Sequence, residues 1–157
     1  MKTNNPINRA AIRLLGSLIL IFAMNFSIQA QDKNTCQANK DLIKEYLETL
    51  SGKEKTVAMM DKYIADCDSI LKGHIIAFDA SFPKYELIPE DMIAEGDKVV
   101  VRAKFKGTHS GPLGDIQATN KKVDMPAAII YRIADGKIIE HWIFLDQLTL
   151  LKQLGIM

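Results

Sequence analysis

The stretch that decides the fold is Ala127–Ala134 (AAIIYRIA), Asp135-Gly136, and Lys137–Asp146 (KIIEHWIFLD). Asp-Gly between two apolar runs is a strong hairpin signal, because both turn positions require positive φ. The second run is apolar on both parities. Simple alternation puts Ile138, Trp142 and Phe144 on one face and Ile139, Ile143 and Leu145 on the other. A strand this apolar on both sides implies a cover on each side. Asp146 ends the run on the Trp142 face, and an ionisable group closing an apolar face is a candidate for chemistry. Gln147–Leu154 (QLTLLKQL) then reads as a short helix stopped by Gly155.

Upstream, Val99–His109 (VVVRAKFKGTH) alternates cleanly, with Val99, Val101, Ala103, Phe105, Gly107 and His109 facing one way. His109 therefore ends an apolar face, as Asp146 does. Tyr85–Ala94 is an extended run containing Pro89, which predicts an edge or bulged strand. Ser110–Lys122 reads as a Gly- and Pro-containing loop. Before the strands come three helical patterns. Asn39–Leu50 begins at a capping Asn39, Glu54–Ile64 follows, and Ser69–Ala80 is capped by Asp66 or Asp68. In the third, Ile70, Leu71, His74, Ile75 and Phe78 form one stripe, on which His74 reads as a packed core histidine. Three helices followed by a four-stranded antiparallel meander is an α+β arrangement.

Residues 1–30 carry Lys2, Arg9 and Arg13 ahead of the apolar Leu14–Met24, then Ser27–Ala30, the pattern of a secretory signal peptide. An uncleaved membrane anchor is the alternative. Cleavage would leave residues 31–157, with 31–38 as a flexible leader and 39–157 as one domain, exported to the periplasm or outside the cell. The 20 basic residues would fall by those three to 17 against 19 acidic ones, a balance that favours neither nucleic acid nor an anionic membrane. No later stretch is apolar and long enough to span a bilayer. Cys36 and Cys67 are either a disulfide in an exported chain or two separate thiols, and only their separation decides. No second Cys or His lies near either one, so the spacing favours no zinc site, and no other metal set among His74, His109 and His141 is indicated.

Several stretches together resemble the SnoaL-like polyketide cyclase (ester cyclase) family. They are Phe82–Tyr85 (FPKY), Ile93–Arg102 (IAEGDKVVVR), Gly107–Gly111 (GTHSG), Tyr131–Trp142 (YRIADGKIIEHW), Asp146 and Gln153–Gly155 (QLG). The resemblance runs from about Asp41 to the C-terminus. It implies the NTF2-like fold, a curved antiparallel sheet forming a cone-shaped barrel on about three N-terminal helices, with homodimers formed through the outer sheet face. It also implies intramolecular aldol ring closure of a hydrophobic, ring-containing small molecule without metal or cofactor, with Asp146 as acid/base. A carboxyl in an apolar pocket has its charged form disfavoured, which would suit it to that role. His109 is the expected second polar group, a donor to a developing enolate. Trp142, Phe144, Phe105, Phe78 and Tyr131 are the expected substrate-binding aromatics. The strand before the turn departs from the enzymes, since Ala127–Ile130 replace polar substrate-holding residues. A pocket that binds an exported hydrophobic molecule without turning it over stays open as the second reading.

Overall fold

The computed structural model describes residues 32–157; the expected signal peptide, residues 1–30, lies outside the described residues. The chain divides into two units at Thr35/Cys36, and the second, Cys36–Met157, carries the fold described below. Helix α1 covers residues 32–50, so most of the segment expected to be a flexible leader is helical. No Gly or Pro interrupts Asp32–Leu50, and Ala38, Lys40, Leu42 and Glu45 are good helix formers, so nothing local starts the helix at Asn39. Helix α2 is only Val57–Asp61, capped by Thr56, whose hydroxyl accepts from Met59 N. A 3-10 turn, Asp66–Asp68, leads into α3, Ser69–Ser81. Asp68 caps α3 by accepting from Leu71 N at 3.1 Å.

The strands β1 (Glu86–Glu95), β2 (Lys98–Thr108), β3 (Lys122–Ala134) and β4 (Lys137–Leu145) form one antiparallel sheet in sequential order. Helix α4, Gln147–Leu154, follows and ends at Gly155 with φ 73°. As the dipeptide requires, Asp135 and Gly136 take φ 50° and 70°. Strand β1 is an edge strand, and its register shifts between Pro89 and Asp91, where proline cannot continue the ladder.

A second shift matters more for the site. Arg132 pairs with Glu140 but Ile133 with Ile138, so Ile139 is the extra residue of a β-bulge. A bulge reverses the alternation beyond it. Ile138 points into the core, and after the bulge His141, Ile143 and Leu145 continue that concave face. Glu140, Trp142 and Phe144 face outward. The bulge is tied down from outside the sheet: Ala65 N donates to Ile138 O, Ile138 N to Tyr63 O, and the Cys67 thiol lies 3.7 Å from Ile139 O. Cys36 and Cys67 are both free.

Val99, Val101, Ala103, Ile129 and Tyr131 of the concave face pack against Ile43, Tyr46, Leu47, Leu71 and Ile75 of α1 and α3. Each large apolar side chain removed from water here contributes roughly 1.5–3 kcal/mol. A smaller cluster, with Phe82, Phe105, Met125, Leu150 and Leu154, joins α4 to the far end of the sheet. Ile70 and Ile76 of α3 remain exposed, so the buried helical stripe is narrower than the sequence suggests. Among the described residues no helix is long and apolar enough to cross a membrane.

Candidate functional site

Between α1, α3 and the concave face of the sheet lies a small cavity, with about 60 Å³ of free space, open at one side. Its wall is almost wholly apolar. Phe78 of α3, Phe105 of β2 and Tyr131 of β3, three of the five aromatics expected to bind substrate, stand on it with Tyr46 of α1 and Tyr85. The wall aromatics pack edge to face, Phe78 at 5.8 Å and 82° to Phe105 and Tyr46 at 5.7 Å and 81° to Tyr131. Ile143, 39% exposed on edge strand β4, and His74 of α3 border its open side.

Four expected site residues lie elsewhere. The bulge at Ile139 turns Trp142 and Phe144 to the convex face of the sheet. Phe144 is 57% exposed there, and the Trp142 ring has Lys98 Nζ and Arg132 Cζ each 5.9 Å from its centroid. Asp146 is the exposed N-cap of α4. Its carboxylate accepts from Thr149 N at 2.9 Å and from the Thr149 hydroxyl at 2.7 Å. These bonds hold its pKa below the ordinary aspartate value, the opposite of what an acid/base residue at neutral pH requires. His109 does continue the inward parity of β2, but one residue past the end of the strand, where Phe82 and the 109–121 loop close over it. It is 0% exposed and stands off the cavity wall. Its Nδ1 accepts from Thr119 N at 3.2 Å, which places the proton on Nε2; that N–H has no partner among the described residues.

At the open side of the cavity His74 is instead the outer end of a chain of three titratable groups that runs back through His141 to Asp68. His141 lies beside Tyr131 on the concave face. Its Nδ1 is 2.8 Å and 3.0 Å from the two carboxylate oxygens of Asp68, and both side chains are nearly buried, at 7% and 6% exposure. Its Nε2 is 3.2 Å from Nδ1 of His74, with the two rings at 5.4 Å and 80°. The proton positions follow in order. An ionised carboxylate only accepts, so His141 Nδ1 carries the hydrogen. His141 Nε2 then accepts from His74 Nδ1–H, which leaves the lone pair of His74 Nε2 as the free basic site of the chain. Asp68 is fixed in turn by capping α3.

Sequence reading leaves this chain aside. His74 looks like a core histidine on a helical stripe, Asp68 like one of two alternative caps, and His141 like a residue on the face away from Asp146. The signal that would have joined them is the bulge, and nothing in Ile138-Ile139 marks one. No group of three or more His, Cys, Asp or Glu side chains among the described residues is arranged around a metal position.

The SnoaL-like polyketide cyclase family model matches residues 65–154, which hold all four strands, α3, α4 and the Asp68–His141–His74 chain. The protein therefore belongs to the SnoaL-like polyketide cyclase family, and its curved four-stranded sheet with packed helices is the NTF2-like fold of that family. Three solved structures are similar. AclR, a candidate hydroxylase from Streptomyces galilaeus, has a TM-score of 0.68 at 22% identity, over 78% of this chain and 83% of its own. A candidate SnoaL-like polyketide cyclase from Jannaschia sp. CCS1 has a TM-score of 0.68 at 20% identity, over 76% and 92%. IdmH, a candidate polyketide cyclase from Streptomyces antibioticus, has a TM-score of 0.64 at 24% identity, over 74% and 98%. Such identities establish a shared fold alone. No curated protein matches the chain.

Proposed function

We propose that this protein performs ester-cyclase-type acid/base chemistry, aldol ring closure or isomerisation, on a small hydrophobic ring compound, without a cofactor. The observation that carries the reading is the Asp68–His141–His74 chain, whose His74 end borders an apolar cavity. His74 Nε2 takes a proton from a carbon next to a carbonyl, and the C–H electron pair becomes an enolate. The imidazolium formed on His74 is stabilised through His141 by the Asp68 carboxylate. The enolate carbon bonds to a second carbonyl carbon of the same molecule, and the resulting alkoxide recovers the proton from His74. No electron is gained or lost overall. The narrow cavity suits a skeleton of one or two flat rings better than a large polycycle.

The test uses 2-tetralone, a flat ketone with acidic α-protons, incubated with the full-length protein in D2O and followed by proton NMR. Exchange faster than in buffer, lost in His74→Gln while the ketone still binds, supports the reading. Binding with exchange at the buffer rate overturns it in favour of the second reading, a non-catalytic binder, which the otherwise apolar wall supports.

Two parts of the proposal lie outside the cavity. Export is supported by the basic-then-apolar sequence of residues 1–30. Pairing of two copies is supported by a row of apolar residues in register across the convex face, Ile93, Val100, Ile130 and Trp142, with Phe144 beside it. Ile93 is 65% exposed in the single chain. A contiguous apolar row of this kind fits a self-complementary partner.

A further inference from the structure

Two phenols belong to the cavity wall. Tyr46 of α1 and Tyr131 of β3 are 3% and 2% exposed, and both stand on the cavity wall. Their hydroxyls interact with each other and have no other hydrogen-bond partner among the described residues. Tyr63 shows what a purely structural tyrosine looks like in the same core. Its hydroxyl is 2.9 Å from Thr49 Oγ1 and 2.9 Å from Glu45 Oε1, so its bonding is complete. A buried hydroxyl left short of partners costs stability unless something fills the place. Burial also raises the pKa of Tyr46 and Tyr131, so both stay protonated and able to donate at neutral pH.

We infer that the Tyr46–Tyr131 pair, one phenol donating to the other and one O–H left free, forms a seat for a single ligand oxygen, a ketone or its enolate, and so fixes which way round the ring compound enters. The inference rests on the proposed function and names its substrate class: a flat compound with one carbonyl directed into the cavity. Tyr131 is the direct cross-strand neighbour of His141, which bonds to His74. An oxygen seated on the phenols therefore lies at the same end of the cavity as the basic chain. That is the arrangement enolisation needs, because the charge that leaves the carbon collects on the oxygen. Tyr46 comes from α1, outside the segment 65–154 that the family model matches, so this half of the seat belongs to the N-terminal part of the domain.

The test compares the affinity of the full-length protein for 2-naphthol, an enol-shaped ring with one oxygen, and for naphthalene, the same rings without it. The wild-type protein should bind 2-naphthol about 10-fold or more tightly than naphthalene. Tyr46→Phe and Tyr131→Phe should each weaken 2-naphthol binding by about 3- to 10-fold, the worth of one neutral hydrogen bond. Naphthalene affinity should be unchanged in both variants, which also shows that the cavity is intact. Equal affinity for the two compounds in the wild type, or a preference that survives in the double variant, overturns the seat while leaving the cavity and its basic chain standing. Failure to bind either compound overturns the proposed function and the seat together.

Discussion

Replacing Asp68 separates its structural task from its chemical one. In Asp68→Ala, α3 loses its cap and the His141 Nδ1–H is left buried with no acceptor. A lost cap costs about 1 kcal/mol, and an unsatisfied buried donor about 1–3 kcal/mol. Together the loss is roughly 2–4 kcal/mol, a large part of the stability of a domain this size. Asp68→Asn should behave differently. The carboxamide oxygen can still accept from Leu71 N, which keeps the cap. Its NH2 group then occupies the position that lies 2.8 Å from His141 Nδ1. The carboxamide oxygen, 3.0 Å from Nδ1, is already taken by Leu71 N, and two donors at the shorter 2.8 Å contact repel, so His141 is expected to move its proton to Nε2. His74 Nδ1 then becomes an acceptor, its Nε2 carries the hydrogen, and the basic site disappears. We expect Asp68→Asn to unfold within about 1 kcal/mol of the wild type by urea denaturation. Its α-proton exchange on 2-tetralone should fall by about 10²- to 10⁴-fold, the range typical of a lost general base. Long-range proton–nitrogen NMR of the histidine rings should report the exchanged tautomer directly. An Asp68→Asn protein that keeps the Nδ1–H tautomer at His141, or keeps its exchange rate, refutes the reasoning.

Four further outcomes are expected. Asp146→Asn should leave exchange unchanged, since the substitute caps α4 equally well and the residue lies off the cavity wall. The lowered pKa of Asp146 means its contribution is complete above the ordinary aspartate value and is lost as pH falls through the lowered folded value, which an acid titration of unfolding checks. The raised pKa values of Tyr46, Tyr85 and Tyr131 work the other way. Their contribution is complete below about pH 10 and is lost as pH rises, so tyrosinate absorbance should show these three ionising together with unfolding instead of ahead of it. Ile93→Glu and Phe144→Glu should each convert a dimer to a folded monomer in light scattering, and a wild-type protein that is already monomeric at high concentration removes the convex-face proposal.

Local rules held wherever a residue's own backbone preference settles the matter. Asp135-Gly136 made the tight turn because both residues tolerate positive φ, and Pro89 made an irregular edge strand because it has no N–H to give. Gly155 stopped α4 in the left-handed conformation, and the 3.6-residue spacing of Leu71, Ile75 and Phe78 placed α3 against the sheet. With the motif resemblance, this was enough for the architecture and for three of the wall aromatics, Phe78, Phe105 and Tyr131.

The amino-acid sequence by itself therefore determined an α+β domain with a hairpin-led antiparallel sheet, a helical cover and an apolar interior, because those features follow from periods of 2 and 3.6 residues and from turn chemistry. Only the tertiary structure decided which face of β4 meets the cavity. One extra residue at Ile139, held by backbone bonds with Tyr63 and Ala65 on a distant segment, turns Trp142 and Phe144 away and turns His141 in toward Asp68 and His74, while capping of α4 draws Asp146 out to solvent. A bulge is a contest between two hydrogen-bond registers, and its winner is set by what packs against the strand, which no local pattern records.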